Sequence, residues 1–79
     1  SYPSTKKIWR VVHKIYDIKE ASAKKYVAST YFKFQMLNDK SVVVQTHELQ
    51  MILHKLRFEG IQIDKQLQVA AIVDKLPPF

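Results

Sequence analysis

The sequence predicts an all-α fold, a small bundle or orthogonal array of four helices at about 4–16, 22–37, 41–59 and 64–76. Three observations point there. The chain has a single glycine, Gly60, and its three prolines sit at the two ends, which leaves few interior turns for short strands. Apolar residues recur every three or four positions in four separate stretches. The 79 residues are 47% hydrophobic and 25% charged, a globular composition that reads as one domain over residues 1–79.

In the first stretch Ile8, Val11, Val12, Ile15 and Tyr16 share a stripe, with Trp9 at its edge and Lys6, Lys7, Arg10 and Lys14 on the other side. Ser4 or Thr5 can cap this helix, and the linker DIKEA follows. In the second, Ala23, Tyr26, Val27, Thr30, Tyr31, Phe34 and Leu37 fall on one face, while Phe32 and Met36 project from the opposite side. A strand over TYFKF is the competing reading, since aromatic and β-branched residues suit strands. The helical period over sixteen residues favours helix.

NDKS makes a turn, and Ser41 is placed to cap the third helix. Its main stripe is Val42, Thr46, Leu49, Ile52, Leu53 and Leu56, and the valine triplet weakens its first turn. Gly60 stands where a left-handed residue closes a helix. Asp64 caps the fourth helix, whose stripe is Val69, Ile72, Val73 and Leu76, and Pro77 and Pro78 stop it.

With no cysteine, disulfides and Cys-based zinc sites are excluded. No apolar run approaches the ~20 residues of a membrane span, and no signal peptide is visible, so no membrane partner is expected. The chain begins SYPST without a methionine and reads as a fragment of a longer protein. A core this small often leans on a partner subunit.

Charge is lopsided. Residues 1–40 hold nine Lys/Arg against three acids, the whole net charge of +6, and residues 41–79 hold four of each. Lys6, Lys7, Arg10, Lys14, Lys24 and Lys25 are candidate nucleic-acid contacts through phosphates. The alternative is a solvated face that keeps a small domain in solution.

Catalytic chemistry is missing. There is no glycine-rich phosphate loop, no Cys nucleophile and no usefully spaced pair of carboxylates. His47-Glu48 begins like a HExxH motif, but position 51 is Met. His47 and His54 lie seven residues apart and read as surface or interface histidines rather than metal ligands; His13 is given no role. The sequence points to no enzyme, no cofactor and no small-molecule substrate.

It points instead to association. Val44, Met51 and Phe58 recur every seven residues opposite the leucine stripe, with His47 and His54 at the d-like positions beside them. A helix apolar on two faces buries both or leaves one open. The expected self-association surface is therefore Val44, His47, Met51, His54 and Phe58, extended by Phe32 and Met36. Methionine suits such an adaptable contact. The competing readings are a fully enclosed third helix and singly exposed apolar residues of no consequence. Protonating His47 and His54 in such a seam is expected to weaken association.

The stretches KKIWRVVHKIY, FKFQMLNDKSVVVQTHELQMILHKLRFEGIQI and DKQLQVAAIVDKLPPF together resemble the Gag polyprotein of plant copia-type LTR retrotransposons. The resemblance covers nearly all of the chain. It is carried by Ile8-Trp9, by Phe34 to Leu37 before a polar turn, by Ser41-Val42 opening a long helix, by Leu49, Ile52, Leu53, Leu56 and Gly60, and by Asp64 with Leu76, Pro77, Pro78 and Phe79. Val43-Val44 and Met51 depart from the more polar residues of that pattern. The resemblance implies a structural capsid region that self-assembles into cytoplasmic virus-like particles around element RNA, without catalytic residues. Phe79 then docks on a following segment or on the domain's own core. Two alternatives stay open: a basic helical nucleic-acid-binding module with the second helix as reader, against which that helix offers Lys24, Lys25, Lys33 and Gln35 but no Arg or Asn cluster for base edges, and a host-adapted protein-interaction domain.

Overall fold

The computed structural model describes residues 3–19 and 21–77. These residues form four helices and no strand: α1 (Pro3–Tyr16), α2 (Ala23–Lys33), α3 (Val42–Phe58) and α4 (Lys65–Lys75). α1 packs on α2 and α4, and α3 packs on the same two helices from the other side, closing a ring. Ile8, Val12, Tyr31, Leu49, Leu53 and Leu56 fill its centre. The expected all-α fold is therefore the fold observed.

Local chemistry sets most helix ends. The hydroxyl of Ser22 accepts from the Lys25 N–H, that of Ser41 from Val44, and the Asp64 carboxylate from Leu67, each satisfying a first-turn donor. α1 starts earlier than expected. Its first turn includes Ser4 and Thr5, which stand inside the helix rather than at the residue before it, and Pro3 opens it with a φ already suited to a helix.

α2 ends four residues before the expected Leu37. Phe34 turns extended, at φ −71° and ψ 134°, and the chain runs past the end of α4. There the Met36 N–H donates to the Lys75 carbonyl at 3.1 Å, and the Gln35 amide donates to the carbonyls of Lys75 and Leu76. The last carbonyls of α4 thus find donors in α2's extension, which a longer α2 could not supply. In this extended run alternate residues face the core, so Met36 is fully buried between the exposed Gln35 and Leu37.

Two expected stripes are rotated. On α2 the buried residues are Val27, Ala28 and Tyr31, and Tyr26 stands out into solvent. On α4 they are Leu67, Ala70, Ala71 and Lys75, while Val69, Val73 and Leu76 are exposed. The rotation of α4 follows from a polar knot with α1 and α2. Asp74 accepts from the Trp9 indole N–H at 2.8 Å and from the Tyr31 hydroxyl at 2.9 Å. The Lys75 ammonium lies 3.8 Å from the same carboxylate and 4.4 Å from the Tyr31 ring centroid. Burial, then the hydrogen bond to Asp74, pushes the Tyr31 hydroxyl far above its usual 10.0. Burial lowers the Lys75 ammonium from 10.5, and the Asp74 charge partly opposes the shift.

Candidate self-association surface

The third helix carries the surface, and its two ends fix its rotation. At the start, the buried Gln45 side chain gathers the preceding turn. Its carbonyl accepts the Leu37 N–H at 2.7 Å, and its amide donates to the carbonyls of Leu37 and Lys40. At the finish, Gly60 adopts φ +94°, its N–H donates to the Arg57 carbonyl, and the Ile61 N–H reaches back to Leu56. That pair of bonds is a Schellman closure, and a residue with a Cβ would be strained at this φ. Ile61 then folds against the core.

Held at both ends, α3 presents two different faces. Gln45, Leu49, Ile52, Leu53 and Leu56 point inward and are buried. Val44, His47, Met51, His54 and Phe58 point outward, and all are exposed. The apolar members are 56%, 64% and 84% exposed, so α2 and α4 do not cover them. Val43, 66% exposed, widens the row at its start. A fully enclosed third helix is thereby ruled out.

Phe32 and Met36 do not join this face. Met36 is a core residue, for the reason given above. Phe32 is half-buried within an aromatic cluster, its ring centroid 4.9 Å from both Trp9 and His13 and 5.3 Å from Tyr16. It fills the seam between α1 and α2 and offers no separate outer patch. Sequence reading missed this cluster, the buried Gln45 and the Asp74 knot. A buried glutamine or a half-buried aspartate at a helix end has no periodic signature. The one hint was Trp9 at the edge of its own helix's stripe, and nothing there named Phe32 as its neighbour.

The basic residues divide. Lys6, Lys7, Arg10, Lys14 and Lys24 are exposed. Lys25 is half-buried, its ammonium donating to the Ile18 carbonyl at 2.8 Å beside the Tyr16 ring, so it closes the α1–α2 linker. Among the described residues no group of His, Cys, Asp or Glu could hold a metal ion, and no helix is long and apolar enough to cross a membrane. The expected role of Phe79 lies outside the described residues.

The family described as gag-polypeptide of LTR copia-type matches residues 1–78. The chain belongs to that family. No curated protein and no solved structure matches the chain significantly. In this Gag domain the residues that carry the family likeness serve the fold: Ser41 and Asp64 cap helices, Gly60 closes α3, and Leu49, Leu53 and Leu56 fill the core.

Proposed function

We propose that this domain is a structural module of Gag that binds copies of itself through the outer face of α3. The supporting observation is the row Val44, Met51 and Phe58, one residue per two helical turns, left open beside a core that is already filled. A row of two heptads is short, so a single contact is weak. Many such contacts in a longer assembling chain add through effective concentration, which is the physical basis of particle formation. The reading places the assembling protein in the cytoplasm and needs neither catalysis nor cofactor.

Light scattering across a concentration series tests the proposal. Mass should rise with concentration for the natural sequence and stay monomeric for Met51→Asp, with helix content by circular dichroism unchanged. A natural chain that stays monomeric at millimolar concentration overturns it, and so does a Met51→Asp chain that still associates.

A second reading draws on the exposed α1 row of Lys6, Lys7, Arg10 and Lys14, with Lys24 beside it in charge: non-specific contact with element RNA through phosphates. RNA affinity should then fall steeply with salt and show no sequence preference. Sequence-selective binding that survives moderate salt would instead favour a nucleic-acid-reading module.

A further inference from the structure

In heptad terms Val44, Met51 and Phe58 occupy a positions and His47 and His54 occupy d. The flanking e positions are Glu48 and Lys55, and the flanking g positions are Val43, Gln50 and Arg57. All five flanking residues are exposed, and the buried Gln45, Leu49, Ile52, Leu53 and Leu56 all fall at b, c or f. Every position a two-helix seam needs is thus free, and the core draws only on positions the seam does not use. Among the described residues neither Glu48 nor Lys55 has an ion-pair partner within the domain.

We infer that two copies pair antiparallel along α3, with Glu48 of each facing Lys55 of the other. This arrangement presupposes the self-association through α3 proposed above and adds its direction and register. Antiparallel helices bring e positions against e positions and g against g, and a residues into layers with d. One register gives the layers Phe58 with His47, His54 with Met51, and their two symmetry mates. In that register Glu48 meets Lys55 twice, and Gln50 meets Arg57 twice. A slip of one heptad in one direction sets Glu48 against Glu48, and in the other direction Lys55 against Lys55; like charges there oppose pairing. A parallel pair matches g with e, which sets Val43 near Glu48 and Gln50 near Lys55 without any ion pair, and stacks His47 on His47 and His54 on His54. Charge complementarity therefore selects one direction and one register out of these.

Charge exchange tests the pairing. Glu48→Lys and Lys55→Glu should each weaken association about tenfold at low salt, because two attractive rim pairs become repulsive. The double variant, carrying both changes, should recover the natural affinity to within about twofold. A spin label on Lys40→Cys, in the exposed turn before α3, reads the direction in a chain with no other cysteine. At 1.5 Å per residue, antiparallel copies hold the labels more than about 30 Å apart and parallel copies hold them under about 20 Å. Rescue with a long distance supports the inference. Absence of rescue, or a short distance, overturns it, and if Met51→Asp still dissociates the copies then only the direction fails and the surface stands. A natural chain that never associates removes both.

Discussion

The two methionines of the chain sit at opposite extremes. Met36 is fully buried and Met51 is 64% exposed, although both lie in stretches that look apolar on two sides. The difference is where the helix stops. Met51 sits in the middle of a regular helix whose inner arc is taken by Leu49, Ile52, Leu53 and Leu56, so the 3.6-residue turn carries it outward. Met36 lies three residues beyond the end of α2, in an extended run where alternation replaces the helical turn. A periodic pattern assigns a face only as far as the helix lasts. The end of α2 is decided by hydrogen bonds to carbonyls some 40 residues away.

The largest test of that contrast is to remove each methionine in turn. Met36→Ala should cost about 2–5 kcal/mol by leaving a cavity in a packed core, and Met36→Asp should abolish folding. Met51→Ala should stay within about 0.5 kcal/mol of the natural chain. Urea denaturation at dilute, monomeric concentration measures both. Equal losses would erase the distinction between an enclosed and an open methionine.

Next in size is the knot that orients α4. Asp74→Ala removes the acceptor for the Trp9 indole and the Tyr31 hydroxyl and leaves Lys75 without its nearby anion. A loss of about 2–3 kcal/mol is expected, with a shift in Trp9 fluorescence as its indole loses its partner. Should stability hold, the rotation of α4 must rest on its buried alanines alone. Gln45→Ala comes after it, at about 1–3 kcal/mol, because the carbonyls and the N–H of the preceding turn lose their shared partner. The same change should leave self-association intact at concentrations where the domain stays folded, since Gln45 faces away from the outer row.

These two sites also mark where the sequence stops being legible. Ser41, Asp64 and Gly60 could be read directly, because a cap acts on a neighbour three residues away and a left-handed closure needs only its own φ. The outward row of α3 could be read as a separate face, since the turn that sets Leu49 and Leu56 on one side sets Met51 and Phe58 on the other; that this face stays open follows from the packing of α2 and α4, which leave it uncovered. The face of α4 could not. Its valines look like the better stripe, yet Val69 and Val73 are exposed while Ala70 and Ala71 are buried. Asp74 is held by Trp9 and Tyr31 from 65 and 43 residues away, and nothing within α4 announces either partner. Phe32 failed in the same way: its neighbours Trp9, His13 and Tyr16 belong to another helix.

The smallest expected effect extends the contrast of enclosed and open side chains to titration. Lys75 is buried and its folded-state value lies below 10.5, so between that lowered value and 10.5 the unfolded chain holds more protons than the folded one. Stability therefore rises with pH across that window as an unfavourable buried charge is relieved. Tyr31 acts oppositely. Its folded value lies well above 10.0, so above pH 10 the unfolded chain loses a proton that the folded chain keeps, and stability falls. Thermal midpoints should climb once pH passes the lowered Lys75 value, crest near the ordinary tyrosine value and then decline. Lys75→Met should flatten the climb, and Tyr31→Phe should delay the decline while lowering the whole curve through the lost bond to Asp74. A crest unmoved by either change would mean that the knot, although enclosed by three helices, is wet enough to titrate like an open surface.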